Sequence, residues 1–251
     1  MTSEERRRRE AYLARRRRRK RRRTLQIIRR GVCSCGIVLL LVFAGIHISQ
    51  KAHATENGQV ETVKESKEGF QQKVILEVPD YQVSLLTPNE YSRPQTAMEE
   101  VRGIVIHYTA NPGTTAEQNR SYFESLKDSH ETKASSHFVV GIEGEIVQCI
   151  PSSEISYASN DRNSDTISIE CCHKTKDGQF TQETYDSLVQ LTAWLCGKFN
   201  VPVENVIRHY DVTGKECPLY YVEHEDAWKK FKKDVQKYLD TYGVEPEEKL
   251  S

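Results

Sequence analysis

Two kinds of hydrophobic pattern alternate along the second half of the chain. Short apolar runs rich in Val and Ile predict buried strands, and longer stretches with an apolar residue every three or four positions predict amphipathic helices. An alternation of strands and helices is typical of an α/β domain, so we predict a central mixed β-sheet flanked by helices. The strands are expected at 103–109, 137–142, 145–150, 166–171 and 205–208, and the helices end near 127, 199 and 239.

Capping and turn residues mark where these elements begin and end. Thr115 and Gln118 fit a capping box for the first helix, and Thr181 fits the N-cap of a second helix that begins at Gln182. Pro202 prevents that helix from continuing. Glu143-Gly144 is typical of a turn that joins two strands into a hairpin. The third helix begins near Glu225. The residues expected to face the sheet are Tyr122, Phe123 and Leu126, then Tyr185, Leu188, Thr192, Leu195 and Phe199, then Trp228, Phe231, Val235 and Leu239.

The N-terminal part of the chain has a different pattern. Residues 31–49 form an apolar stretch of 19 residues without a formal charge, which is about the length of a helix that crosses a bilayer. An arginine-rich flank precedes it and stays on the cytoplasmic side, so we predict a single transmembrane signal-anchor with the N-terminus inside. Ala52-His53-Ala54 leaves an alternative open, in which a signal peptide is cleaved after Ala54 and the protein is secreted. Both interpretations export the domain.

Charge separates the chain into a basic head and an acidic remainder. Residues 1–30 contain 15 Lys or Arg against 3 Asp or Glu, and the remaining chain contains 21 against 33. We interpret residues 1–30 as a cytoplasmic topology signal that also contacts anionic lipid, and not as a nucleic-acid binding segment. Residues 50–78 have the polar composition of a flexible tether. The folded domain is expected at 79–251, with its core at 101–239.

Three residues with metal-ligand chemistry occur in these patterns. His209 and Cys217 lie in one short loop that is closed by Pro218, and His107 ends the predicted strand at 103–109. Imidazole and thiolate are good ligands for Zn²⁺. Three protein ligands leave a fourth position open, which is typical of catalytic zinc sites. The pattern therefore predicts zinc-assisted hydrolysis, in which the metal activates water and polarises a carbonyl.

A proton carrier is also needed for hydrolysis, and Glu170 is the candidate. Strand alternation places Ser168 and Glu170 on the face opposite Ile167 and Ile169. A carboxylate at the end of that strand can take a proton from water and pass it to a leaving amine. The alternative is a surface glutamate in a salt bridge.

Four segments in this order carry a resemblance to a known family: IVIHYT at 104–109, HFVVG at 137–141, DTISIE at 165–170 and RHYDVTGKECP at 208–218. They resemble the type 2 N-acetylmuramoyl-L-alanine amidases, whose relatives include the peptidoglycan recognition proteins. The resemblance covers about residues 101–239. It implies that two histidines and a cysteine bind zinc, and that the enzyme cuts the amide between the lactyl group of muramic acid and L-alanine.

The resemblance also implies roles for further residues. Glu170 matches the glutamate assigned as base in the bacterial branch, and Lys215 matches a lysine that stabilises the oxyanion. His137 matches a histidine near the substrate, although a donor to another residue of the site or a hydrogen-bonded core residue is an equal alternative. Tyr108 is the second expected substrate contact. Phage members carry a catalytic tyrosine where this chain has Ser136, which favours the Glu170 mechanism.

The expected partners follow from these assignments. They are peptidoglycan or a soluble muropeptide as substrate and the cytoplasmic membrane through residues 31–49, with no nucleic acid, and the protein is expected to act as a monomer. A second hypothesis is an inactive peptidoglycan-binding module of the same fold, but the presence of Cys217 favours the enzyme. If Cys217 binds metal, the remaining cysteines of the domain are either disulfide-bonded or buried free thiols: Cys149, Cys171, Cys172 and Cys196.

Overall fold

The computed structural model describes residues 70–246 of the chain. The predicted basic head, the predicted membrane segment and residues 50–69 of the predicted tether lie outside this range. Between residues 70 and 246, no helix is long and apolar enough to cross a membrane.

A six-stranded mixed sheet forms the centre of the domain. Its strands lie in the order β1, β4, β3, β5, β2, β6. The hairpin pair β3 and β4 is antiparallel, and every other neighbouring pair is parallel. The strand bounds are β1 Gln82–Val83, β2 Gly103–Tyr108, β3 Phe138–Val140, β4 Ile146–Gln148, β5 Thr166–Cys171 and β6 Val206–Arg208. This arrangement confirms the predicted mixed sheet.

Five α-helices surround the sheet in the described part of the chain: α1 Ala116–Ser129, α2 Gln182–Phe199, α3 His209–Thr213, α4 Leu219–Glu223 and α5 Glu225–Tyr242. The predicted capping box of α1 is present, since Thr115 accepts from the amide of Gln118 and the Gln118 side chain accepts from the amide of Thr115. The Thr181 cap of α2 is also confirmed.

The two faces of the sheet bury separate apolar clusters. α2 and α5 cover one face, where Trp228, Phe231, Val235 and Leu239 are buried as predicted. α1 covers the other face through Phe123 and Ala116. The prediction that Tyr122 also faces the sheet is wrong, because its side chain is 47% exposed. Phe123 and Leu126 already fill the buried stripe of this helix, which leaves the preceding position facing solvent.

The folded part begins before the predicted boundary at residue 79. Ile75 is buried in the cluster beneath α2 and α5, and Val74 pairs with Val244 in a short antiparallel bridge. The Gln72 amide donates to the side-chain oxygen of Asn200 at 2.8 Å. Residues 72–75 are therefore packed on the domain, and the prediction of a flexible tether is wrong for them. Burial of Ile75 and pairing of Val74 with Val244 hold this segment against the domain.

Candidate metal centre

Three side chains converge at the ends of two neighbouring strands and the loop that follows them. His107 is at the end of β2, His209 follows β6 as the first residue of α3, and Cys217 lies just after the turn at Gly214. One ligand atom from each of the three lies within 4.8 Å of the others. All three residues are buried. The structure therefore brings together the residues that the sequence predicted as metal ligands.

The loop between α3 and Cys217 folds back so that the thiol faces the histidines. Gly214 ends α3 in a left-handed conformation with φ 76°, which glycine adopts without strain. The amide of Tyr210 then donates to the carbonyl of Cys217 at 2.9 Å, which closes the loop. The Sγ atom of Cys217 lies 3.8 Å from Nδ1 of His107.

Burial sets the protonation of the three candidate ligands. It holds the pKa of His107 well below its usual 6.5, helped by the neighbouring His209 and Lys215, and it lowers the pKa of His209 to about 4. Both imidazoles are therefore neutral at pH 7, as metal ligands must be. Burial also raises the pKa of the Cys217 thiol to about 12, so a metal that binds there must displace a proton.

The donor set fits zinc. Two neutral imidazoles and one thiol are soft to borderline ligands, and zinc sites are built from this combination. The Nδ1 atom of His209 is buried and has no hydrogen-bond partner. A buried ring nitrogen without a partner is costly in an apolar interior and is satisfied when its lone pair binds a cation.

Glu170 lies beside this group on the neighbouring strand. It is the register partner of His107 in the parallel pair of β5 and β2, so the two side chains project from the same face of the sheet. One carboxylate oxygen of Glu170, Oε2, is buried without a hydrogen-bond partner. Burial raises the pKa of Glu170 to about 8, although the charge of Lys215 acts in the opposite direction. The surface salt bridge that we considered as an alternative is absent from the ion pairs of the described residues.

Lys215 is exposed, but its charge acts on the candidate site. Its positive charge favours the neutral form of His107 and His209 and the ionised form of Glu170 and Cys217, although burial outweighs it and raises the pKa of the last two. A cation that favours negative charge on these groups also favours negative charge that develops at the site during a reaction.

Tyr108 is at the margin of the site. Strand alternation turns its side chain to the face opposite His107, where its ring lies 5.2 Å from the ring of His173. Its backbone amide hydrogen-bonds to Cys217, which lowers the pKa of that thiol. Burial, together with Cys217 and Glu170, raises the pKa of the Tyr108 hydroxyl.

His137 does not join the cluster. Its side chain is fully buried, and the amide of Ser168 donates to Nδ1 at 3.0 Å. Nε2 therefore carries the proton and donates to the carbonyl of Glu154 at 2.8 Å. With both ring nitrogens occupied and burial lowering its pKa to about 4, His137 has no group left for a substrate. The prediction of a substrate contact is wrong, and the alternative of a hydrogen-bonded core residue is correct.

Ser136 belongs to the same buried polar network. Its hydroxyl donates to the carbonyl of Phe138 at 2.9 Å and is fully shielded from solvent. The residue at this position therefore packs inside the domain and supplies no group to the cluster of His107, His209 and Cys217.

Sequence reasoning missed two residues that touch the candidate ligands. Ser159 Oγ lies 3.3 Å from Nε2 of His107, and Asn160 Oδ1 lies 2.9 Å from Nε2 of His209. They lie between β4 and β5 at the start of a 3₁₀ turn, where no hydrophobic period marks an element. Two further buried polar atoms have no hydrogen-bond partner: Oγ1 of Thr109, which follows β2, and Nε2 of His173, which lies just after β5.

The question of disulfides has a clear answer for the folded domain. Cys149, Cys171, Cys172, Cys196 and Cys217 are all buried free thiols. Of the two possibilities that the sequence left open, the structure has the buried free thiols.

Comparison with known proteins agrees with this geometry. Residues 97–219 match the N-acetylmuramoyl-L-alanine amidase family. The chain is 35% identical to the N-acetylmuramoyl-L-alanine amidase CwlL of Bacillus licheniformis over 169 residues, which cover 62% of this chain and 46% of that protein. It is 32% identical to the N-acetylmuramoyl-L-alanine amidase BlyA of Bacillus subtilis over 182 residues, which cover 64% of this chain and 48% of that protein. The chain thus spans about half the length of these curated relatives.

A solved structure shows the same fold. The catalytic domain of XlyA superposes with a TM-score of 0.54 at 28% identity, over 62% of this chain and 99% of that domain. The match extends over almost the whole of that catalytic domain. The resemblance inferred from the sequence motifs is confirmed: the domain that contains residues 97–219 belongs to the N-acetylmuramoyl-L-alanine amidase family.

Proposed function

We propose that this protein is a zinc-dependent N-acetylmuramoyl-L-alanine amidase that hydrolyses the amide between the lactyl group of N-acetylmuramic acid and L-alanine in peptidoglycan. The observation that carries the proposal is the buried convergence of His107, His209 and Cys217 next to Glu170, in a domain of this family. An inactive binding module would need none of these groups.

The residues of this site have separate roles in the proposed reaction. His107, His209 and Cys217 hold the metal, and zinc, when bound, supplies the Lewis acidity that activates water and polarises the scissile carbonyl. The neighbouring apolar strands β2 and β5 fix the positions of His107 and Glu170, because both strands are buried along almost their whole length. Preorganised groups of this kind need no reorganisation when the reaction takes place.

Glu170 carries the proton in this proposal. Its carboxylate takes a proton from the attacking water and delivers it to the nitrogen of the leaving L-alanine. A group that must accept and then donate works best with a pKa near the working pH, and burial brings the pKa of Glu170 to about 8. The unpartnered Oε2 atom leaves one oxygen free for this transfer.

Lys215 stabilises the negative charge that develops on the carbonyl oxygen. It lies two residues before Cys217, and the Cys217 amide donates to the Lys215 carbonyl at 2.8 Å, which fixes the backbone of the loop. The side chain stays exposed, so it reaches the substrate from the solvent side while the metal ligands remain buried. A positioned cation beside the developing oxyanion lowers the barrier electrostatically.

Analysis of the reaction products tests the proposal. Purified peptidoglycan incubated with the protein should gain new N-terminal alanine, and mass spectrometry should find glycan strands without peptides and free stem peptides. A chelator should abolish both changes, and added zinc should restore them. New reducing sugar ends, or new N-termini other than alanine, would assign the activity to a different bond. Peptidoglycan binding without any cleavage would support the inactive module.

We further propose that the domain acts outside the cytoplasmic membrane, as a monomer anchored by residues 31–49. The uncharged length of that segment and its arginine-rich flank support the location. Protease added to intact cells should remove the domain and leave the basic head. If the protease cleaves the domain only after lysis, the domain lies inside the cell. That result would contradict the proposed topology, because the domain could not reach the cell wall.

A further inference from the structure

We propose that Ser159 and Asn160 are positioning residues that fix which ring nitrogen each candidate ligand histidine presents to the metal. The two residues are adjacent in the chain, and each contacts Nε2 of a different histidine. This inference rests on the proposed function, because it assigns a role within the same metal centre. It extends the site from three ligands to the turn that orients two of them.

The contact of Asn160 defines the state of His209. An amide oxygen only accepts hydrogen bonds, so the Asn160 Oδ1 atom at 2.9 Å requires that Nε2 of His209 carries the proton. In the neutral ring, the lone pair then lies on Nδ1. Nδ1 is the atom that is buried without a partner. Asn160 therefore directs the free lone pair of His209 toward the site.

Ser159 contacts His107 at the matching ring atom, although a hydroxyl can donate as well as accept. Its oxygen lies 3.3 Å from Nε2, and when it accepts the Nε2 proton the lone pair of His107 lies on Nδ1. Nδ1 is also the ring atom that faces the thiol of Cys217, at 3.8 Å. The two ring centroids lie 4.7 Å apart with 62° between the ring planes, and one nitrogen of each ring lies within 4.8 Å of the other and of the Cys217 thiol. The longer distance at Ser159 predicts a weaker effect than that of Asn160.

The turn that carries both residues is itself held in place. The side-chain oxygen of Asn163 accepts the amides of Ala158 and Ser159, at 3.1 and 2.6 Å. Asn160 has a left-handed backbone with φ 53°, which asparagine tolerates better than most residues. Ser159 is 1% exposed, so its hydroxyl is shielded from competing water. Asn160 itself is exposed, so its position depends on the hydrogen bonds that hold this turn.

The consequence concerns metal affinity. A neutral histidine without an orienting partner exchanges between two tautomers, and only one of them offers Nδ1 to the metal. Partners of this kind also hold the ring in the plane that the metal needs. Their loss lowers metal affinity by about 10- to 100-fold in other metalloproteins.

The test uses three variants of the full-length protein. Asn160→Gly removes the acceptor and keeps the left-handed backbone, whereas Asn160→Asp keeps an acceptor at the same place. Asn200→Gly is the matched control, because Asn200 also has φ 53° but caps the far end of α2. Zinc affinity is measured by competition with a chromophoric chelator. Nitrogen chemical shifts of ¹⁵N-labelled histidine report the tautomer of His209 in the metal-free protein, and thermal unfolding shows whether each variant folds.

We expect Asn160→Gly to bind zinc about 10- to 100-fold more weakly than the wild type, while Asn160→Asp and Asn200→Gly stay within a few-fold. The metal-free wild type should show His209 protonated on Nε2, and Asn160→Gly should show a mixture of tautomers. Wild-type zinc affinity and an unchanged tautomer in folded Asn160→Gly would overturn the inference. If the wild type binds no zinc, the proposed function fails, and the tautomer measurement still decides the role of Asn160.

Discussion

Replacement of Cys217 by serine is expected to remove both zinc and amidase activity. The thiolate is the softest of the three candidate ligands, and a neutral hydroxyl is a poor substitute for it on zinc. The two remaining histidines bind zinc too weakly to keep the site occupied under assay conditions. Loss of the metal removes several kcal/mol of transition-state stabilisation, which corresponds to a fall in kcat/KM of roughly 10³-fold or more. Zinc content by mass spectrometry and new N-terminal alanine in peptidoglycan measure the two effects on the same sample.

The control for this variant is Cys196→Ala. Cys196 is also a buried free thiol, but it lies in α2 within the apolar cluster on the face away from His107. Its truncation leaves a small cavity and lowers the melting temperature without touching the metal. Zinc content and activity should therefore remain those of the wild type. Stoichiometric zinc in Cys217→Ser would contradict the ligand assignment.

The Glu170→Gln variant is expected to keep zinc and lose turnover. Glutamate is not one of the three proposed ligands, and glutamine fills the same space, so metal content and substrate affinity should be preserved. The amide cannot carry the proton, so kcat should fall by about 10²- to 10⁴-fold, the usual contribution of general acid–base catalysis. Lys215→Ala should also keep zinc and lose a similar or smaller factor. Wild-type turnover in zinc-loaded Glu170→Gln would show that another group transfers the proton.

The same variant has a second readout in the stability of the metal-free protein. Burial raises the folded-state pKa of Glu170 to about 8, above its ordinary 4.5. The neutral carboxyl is therefore favoured by folding, and its contribution is complete below about pH 4.5 and is lost as the pH rises through about 8. Glutamine has no such charge. The melting temperature of Glu170→Gln relative to the wild type should rise between pH 5 and pH 8, and an unchanged difference would mean that Glu170 ionises freely.

Much of the fold was predictable because its hydrophobic pattern is strong. β5 is buried along almost its whole length and has the predicted bounds, and α2 begins after its predicted cap at Thr181. Strand β1 has two exposed residues, and helices α3 and α4 have five residues each. Elements this short show no measurable hydrophobic periodicity, so tertiary contacts determine whether they form. The burial of Ile75 could not be predicted either, because a few apolar residues in a polar stretch form no hydrophobic period.

The candidate site divides in a similar way. His107, His209 and Cys217 were predictable as candidate metal ligands because of their residue types and their positions at the end of a strand or in the loop after one. Glu170 followed from strand alternation. Ser159 and Asn160 were not predictable, because serine and asparagine are common in turns and only the folded chain shows which histidine they meet. His137 has the residue type of a functional group, and only its two hydrogen bonds reveal a structural role.

We expect that one zinc ion, held by His107, His209 and Cys217, is required for amidase activity of this domain. We would titrate zinc into chelator-treated wild-type protein and measure new N-terminal alanine in peptidoglycan at each point. We expect no activity without metal, a linear rise on addition of zinc and a plateau at about one zinc per chain. Formation of N-terminal alanine by the metal-free protein, or an equal plateau in Cys217→Ser, would mean that these three residues do not hold a catalytic zinc.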